Sequence, residues 1–277
     1  MIKNIVFSGG GFKAWAYIGS LQAINEYKYL FNNVEQIIGV SAGAVFGLFY
    51  ILDIKWQFLL DFFMGLNFKE LFDIDIDNIF IQQSLLAGLK FTEIIREIMN
   101  YYIDPDVTFK QLWKFSKIKF TTSALNITDS QLEYFNYELT PDIKVIDAIR
   151  ASCSLPIVLP PYLINGKYYY DGGICNNCPI DLVDEIESIA FDVAFYPENN
   201  NSSMKLVDLL NCMVTISNKS SKQKSGTDNV YSILDDSFNH ESVNLNQSRD
   251  DIFNIYMNGY INSKNIMFKN HIALPGF

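Results

Sequence analysis

Gly39-Val40-Ser41-Ala42-Gly43 sits between a short strand-like run, Val34 to Ile38, and an apolar helical run, Ala42 to Leu52. Strand, sharp turn and helix in that order form a nucleophile elbow. The flanking glycines let backbone pass where a Cβ would clash, and the serine Oγ stands exposed at the top of a sheet. The pattern alone turns up in roughly one random chain of this length in ten. Its position carries more weight: only 38 residues precede it, and Ser8-Gly9-Gly10-Gly11 lies just upstream.

Working outward, Ile2 to Phe7 is a β-rich run that ends at those glycines. A helical stretch follows, from about Phe12 to Tyr27, with Trp15, Ile18, Leu21 (or Gln22) and Asn25 at helical spacing and small Ala14, Ala16 and Gly19 permitting close packing. This is a βαβ unit, so its two strands are expected to be parallel neighbours with a right-handed crossover. Both loops then leave the carboxyl ends of adjacent strands, where open α/β sheets place their sites. The glycine loop is thereby expected beside Ser41. Further on, Ile118 to Leu125, Leu132 to Tyr137, Tyr168 to Tyr170 and Phe191 to Tyr196 read as strands. Phe91 to Tyr102 (capped by Thr92), Pro141 to Ser152 and Ser248 to Met267 read as helices, and Ser217 to Asn229 as a polar loop. No internal repeat or second domain is visible. The reading is one α/β domain over residues 1–277, with about 55–102 as a cap or lipid-facing insertion.

The composition fits that reading. The chain has 277 residues, 49% hydrophobic and 19% charged, enough for one large core and too few charges for disorder. A formal net charge of -10 disfavours nucleic acid and gives no attraction to anionic bilayers. The N-terminal apolar run is too short for a signal peptide, and Ala42 to Leu52 is too short to span a bilayer, which needs about 20 residues. The expectation is a cytoplasmic protein, or one peripheral at membranes. Of the four cysteines, Cys175 and Cys178 have metal-ligand spacing but no second pair, so free thiols are expected at Cys153, Cys175, Cys178 and Cys212.

Several motifs admit two readings. Gly9-Gly10-Gly11-Phe12-Lys13-Ala14 lacks the third glycine of the dinucleotide fingerprint, and the second strand ends in a serine turn rather than an acid. It is either a plain βα turn or an oxyanion hole, with backbone N–H groups of Gly10 and Gly11 at a helix start. Asp171 is either a turn aspartate capping backbone or a catalytic carboxylate. The chain has two histidines, His240 and His271. A Ser41…Asp171…His240 order is formally that of a hydrolase triad, but such elbows follow several strands and this one follows a single βαβ unit. A carboxylate within reach of Ser41 Oγ is the remaining kind of base. Asp73, Asp75 and Asp77 fail as a calcium loop because Asn78 replaces the glycine and Ser84 the glutamate. The aromatic stretch Lys55 to Phe72 is core or a lipid-facing cap. If it is a cap, Trp56, Phe62, Phe63 and Leu66 are the expected lipid contacts.

Four ordered motifs together resemble the patatin-like phospholipases. They are Gly9-Gly10-Gly11-Phe12-Lys13, the elbow at Ser41, Ala151-Ser152-Cys153-Ser154-Leu155-Pro156 through Pro161, and Ile164-Asn165-Gly166 into Asp171-Gly172-Gly173, closing at Asn177-Cys178-Pro179. The resemblance covers nearly the whole chain. It implies an αβα sandwich around a mostly parallel sheet and a Ser–Asp dyad without histidine, with Ser41 as nucleophile and Asp171 as base. It also implies hydrolysis of acyl esters of phospholipids or related lipids, without metal or cofactor. The oxyanion hole is then expected at Gly10, Gly11 and Phe12, supported by Gly9, Lys13, Gly39, Gly43, Gly172 and Gly173. Ala14 stands where the family usually has glycine, a one-methyl packing change. Lys13 either holds the loop or favours an anionic substrate. Two other outcomes stay open on this scaffold: transfer of the acyl group to another lipid, and a catalytically silent lipid-binding or storage protein.

Overall fold

The computed structural model describes residues 1–66, 84, 86–193, 229–234 and 247–273, with side chains as far as 269 in the last helix. The expected βαβ unit opens it. β1 (Asn4–Phe7) and β2 (Gln36–Gly39) pair in parallel with Phe7 opposite Gly39. The connecting helix is not α-helical from its start. Gly11–Trp15 is a 3-10 turn, closed by the Lys13 N–H on the Gly10 carbonyl at 3.1 Å, and α1 proper is Ala16–Glu26. The glycine loop imposes that tighter first turn.

α2 (Ala42–Ile51) leaves the elbow and is buried on nearly every side, as an all-apolar helix must be. α3 (Trp56–Gly65), α4 (Leu89–Asn100) and α5 (Phe109–Ser116) follow. α4 starts two residues earlier than expected, and its N-cap is Gly88, in a left-handed conformation with φ +75, instead of Thr92. Thr92 is therefore inside the helix, its hydroxyl donating to the Gly88 carbonyl at 2.9 Å.

β3 (Lys119–Asn126), β4 (Gln131–Phe135), α6 (Val145–Ser152), β5 (Tyr162–Ile164) and β6 (Lys167–Asp171) complete the middle of the chain. α6 begins later than Pro141 because the preceding segment is used elsewhere. The carbonyls of Pro141 and Ile143 accept the Lys110 and Phe109 N–H groups at 3.0 and 3.1 Å. β7 (Ser188–Asp192), β8 (Val230–Ser232) and α7 (Arg249–Ala273) end the described chain.

The strands form one sheet in the order β5-β6-β3-β2-β1-β7-β8, with β4 also on β3. β3, β2, β1, β7 and β8 run parallel as neighbours, while β4, β5 and β6 join antiparallel. Alternation divides the sheet residues between two faces. Ile5, Phe7, Ile37, Ile189 and Phe191 pack with Tyr17, Phe46 and Phe49 in the main core. Val6, Ile38 and Ala190 face the other way, onto Cys178 and Ile180. The result is an α/β fold with helices flanking a mostly parallel sheet.

α1 and α7 approach backbone to backbone. A methyl at Gly259 would lie 2.3 Å from the Ala16 carbonyl oxygen, and one at Gly19 would lie 2.3 Å from the Tyr256 carbonyl oxygen. Ser20 and Ser263 share a hydrogen bond of 2.8 Å in the same contact. No described helix is long and apolar enough to cross a membrane. Asp73, Asp75, Asp77, Cys212 and His240 lie outside the described residues, as do the side chain of His271 and most of Ser217 to Asn229. Cys153, Cys175 and Cys178 are free thiols.

Candidate active site

β2 delivers Ser41. The residue has φ +53, a strained conformation for a residue with a Cβ, costing about 1–3 kcal/mol. The surrounding structure holds it there. The Val40 N–H donates to the Phe7 carbonyl at 3.1 Å and the Ser41 N–H to Ser152 Oγ at 2.9 Å. Gly43 has to be glycine: a methyl there would lie 2.3 Å from the Phe7 carbonyl oxygen and 2.5 Å from that of Ser8. The elbow thus leans directly on the end of β1, where the glycine loop begins.

β6 delivers Asp171 from the other side of β3. Gly39 stands opposite Thr122 and Asp171 opposite Ala124. Asp171 is therefore two residues further along β3 than Gly39, which brings it level with Ser41. The Asp171 N–H donates to the Ser154 carbonyl at 2.9 Å. Its carboxylate is buried and accepts from the Gly173 N–H at 2.7 Å and from the Ser41 hydroxyl. Burial pushes this carboxyl up to about 7, against the lowering effect of those two bonds.

The glycine loop lies alongside. Gly11 has φ +54, so a side chain there would be strained. Gly10 and Gly11 stand at the open amino end of the 3-10 turn, where N–H groups lack intrahelical acceptors. Phe12 continues that turn and its ring meets Trp15 at 6.2 Å. Lys13 is buried, not presented to solvent. Desolvation pushes its ammonium down to about 7, resisted by the nearby charge of Asp192 at the end of β7. Ala14 is buried in the core.

The structure therefore gathers the elbow, the Asp171-Gly172-Gly173 turn and the glycine loop at one edge of the sheet. Two further residues stand at Ser41 to which the sequence assigned no role. Ser152 accepts the Ser41 N–H, and the buried Cys153 thiol is hydrogen-bonded to the Ser41 hydroxyl, with burial pushing the thiol well up. Their signal was the string Ala151 to Pro156, which names residues but not contacts.

The aromatic helix α3 divides between the two expected fates. Phe63 is core, 4.6 Å from Trp15 and 6.4 Å from Phe46 by ring centres. Trp56 stacks on Tyr256 of α7 at 6.1 Å. Phe62 and Leu66 are half-buried, and Phe62 stacks on Phe58, which is 37% exposed, at 5.9 Å.

Fold and site define an α/β protein in which a serine and a buried carboxylate meet at the ends of two strands that flank β3. The chain belongs to the patatin-like phospholipase family, whose model matches residues 5–184, more than half of its length. It is 28% identical over 186 residues to the "Probable lipid hydrolase 463L" of Invertebrate iridescent virus 6, covering 65% of this chain and 62% of that one. It is 30% identical over 219 residues to "Uncharacterized protein R571" of Acanthamoeba polyphaga mimivirus, covering 74% and 69%. "Lysophospholipase NTE1" of Saccharomyces cerevisiae is 28% identical over 182 residues, 64% of this chain but only 10% of that much longer protein. Among solved structures, VipD from Legionella pneumophila superposes with a TM-score of 0.68 at 16% identity, over 97% of this chain and 67% of its own. ExoU of Pseudomonas aeruginosa, in its complex with SpcU, gives 0.56 at 14%, over 97% and 52%. At those identities the structural likeness speaks for the fold alone.

Proposed function

We propose that this chain is a lipid acyl hydrolase acting through a Ser–Asp dyad. The observation that carries the reading is the hydrogen bond from the Ser41 hydroxyl to the buried Asp171 carboxylate. Asp171 takes the hydroxyl proton as Ser41 Oγ attacks the ester carbonyl. The carbonyl oxygen becomes an oxyanion, met by the N–H groups of Gly10, Gly11 and Phe12 at the start of the 3-10 turn. Collapse of that intermediate breaks the acyl–oxygen bond, and the leaving alkoxide takes the proton from Asp171. Water then attacks the acyl-enzyme with Asp171 again as base, releasing a fatty acid and restoring Ser41. A carboxyl lifted to about 7 suits this double duty, because a base works best with its pKa near the working pH.

The substrate class is an acyl ester of a phospholipid or related lipid, in keeping with the family and with relatives named as lipid hydrolases. Contact with a lipid surface falls to the outer side of α3, at Phe58 and Phe62. The test is mass spectrometry of products from a mixed phospholipid and lysophospholipid panel, together with labelling by a fluorophosphonate. Free fatty acid and labelling at Ser41 are expected. Acyl groups appearing on a second lipid would replace hydrolysis by transfer. No labelling of the folded chain would favour a silent binder.

A further inference from the structure

Asn177 lies in the chain six residues beyond Asp171, yet its side chain is buried against the glycine loop. Its amide Nδ2 donates to the Gly9 carbonyl at 2.8 Å, and its own carbonyl accepts the Gly9 N–H at 3.1 Å. Gly9 is thus held from both its polar groups by one residue. The amide oxygen faces two ways. A methyl at Gly9 would lie 2.3 Å from Asn177 Oδ1 and 3.0 Å from Ser41 Cβ. A methyl at Gly173 would lie 2.4 Å from the same oxygen and 3.0 Å from Asp171 Oδ1. Gly173 in turn supplies the N–H that bonds Asp171.

One small amide therefore fills the gap between the residue that precedes the oxyanion glycines and the residue that orients the carboxylate. The neighbouring strands do not fix that gap by themselves. β1 and β6 are separated by β2 and β3 in the sheet, and both loops lie beyond their strand ends. A misplacement of about 1 Å at a reacting centre can lower a rate about 100-fold.

We propose that Asn177 is a positioning residue that clasps the glycine loop to the Asp171 turn and sets the spacing of oxyanion donors, Ser41 and Asp171. The inference rests on the hydrolase reading for its kinetic consequence, and on the two loops alone for its structural one. An aspartate at 177 is near-isosteric but has no Nδ2 donor, so an oxygen faces the Gly9 carbonyl. An alanine removes the amide and leaves the backbone bond to Gly9.

The test uses Asn177→Ala and Asn177→Asp, the second because its shape preserves folding if the first does not. Two quantities are read. The first is kcat per serine titrated to completion by a fluorophosphonate, expected to fall about 100-fold with KM within about threefold. The second is amide hydrogen exchange, expected to quicken at Gly9 and Gly173 by about tenfold or more while the sheet amides of Ile38 and Phe120 stay unchanged. A role confined to stability would reduce the titratable fraction and leave kcat per titrated serine unchanged, which would overturn the proposal. Unchanged exchange at both loops would overturn it as well. A wild-type protein inert towards every ester would count against the hydrolase reading, and exchange at Gly9 and Gly173 would still decide the clasp.

Discussion

The Ser41 hydroxyl donates to an Asp171 carboxyl that burial lifts from its ordinary 3.8 to about 7. The two residues come from strands on opposite sides of β3, so the sheet register, not the local chain, makes the pair. Desolvation favours the neutral acid, whereas base catalysis needs the carboxylate. Activity on a soluble ester should therefore rise through pH about 7 as one proton is lost, and flatten above it. The measurement is kcat/KM against pH. A rise centred near 4 would mean that Asp171 titrates as an ordinary carboxylate and that its burial is not felt in the free enzyme.

The same shift has a consequence for stability, and its sign is fixed. The folded state holds the Asp171 proton more tightly than the unfolded chain, so this contribution is fully present below pH 3.8 and is lost as pH rises through about 7. Lys13 runs the opposite way: its contribution is present above 10.5 and is lost as pH falls through about 7. Asp171→Asn should thus be more stable than wild type at pH 8, by about 1–3 kcal/mol, with the difference shrinking at pH 5. Urea midpoints of the two proteins at both values decide it. A constant difference would show that the carboxyl is not titrating in this range.

Members of one catalytic unit do not contribute additively. Ser41→Ala and Asp171→Asn should each lower kcat by at least about 1,000-fold, and the double variant should be little worse than either. His240→Ala and His271→Ala should each change activity by less than about threefold, since a catalytic base contributes about 100-fold or more. Loss of turnover in a folded His240→Ala protein would restore the triad order Ser41…Asp171…His240.

Much of this arrangement was legible before any coordinates, because it depends on short-range rules. The runs before Ser8 and before Gly39, joined by one crossover helix, are usually parallel neighbours, and here they are, which sets Ser41 beside the glycines. α2 read as buried because it has no polar face. What was not legible depends on long-range pairing. Nothing in the sequence says that Pro141 and Ile143 give their carbonyls to the start of α5, so α6 was expected too early. The start of α5, by contrast, carries a local signal, the capping box of Thr108 and Gln111. The contacts of Ser152, Cys153 and Asn177 could not be read either. Spacing along a chain does not tell which of several small polar residues faces a serine more than a hundred positions away.

Glycine at the α1–α7 contact is there for closeness, not for flexibility. In an open helix, glycine to alanine gains about 1 kcal/mol from backbone entropy. Gly65 meets nothing within 4 Å, so Gly65→Ala at the end of α3 should be neutral or stabilising by up to about 1 kcal/mol. At Gly259 the added methyl would meet backbone of Ala16 at 2.3 Å, which no rotamer change can relieve. Separating the helices costs about 1–3 kcal/mol and outweighs the entropic gain. Thermal unfolding of the two variants should therefore shift in opposite directions. A stabilised Gly259→Ala protein would mean that α1 and α7 are not in backbone contact.

The last prediction concerns how lipid reaches the site, and α3 supplies its own control. Phe63 faces the core against Trp15 and Phe46, while Phe58 and Phe62 stack on the outer side of the same helix. Phe63→Ser should cost about 3–5 kcal/mol of stability and lower all activities together through loss of folded protein. Phe58→Ser with Phe62→Ser removes one exposed ring and one half-buried ring that also touches Phe63, and should cost about 1–3 kcal/mol, less than Phe63→Ser, leaving the protein folded. If this face meets lipid, the pair should lower hydrolysis of phosphatidylcholine vesicles about tenfold and spare a short soluble ester. With a formal net charge of -10 the attachment is apolar, so added salt should not weaken it as it weakens a polybasic anchor. Co-sedimentation with neutral vesicles at low and high salt reads this directly. Equal loss on vesicles and on the soluble ester would make Phe58 and Phe62 part of the packing of α3 and remove them from the path of the lipid.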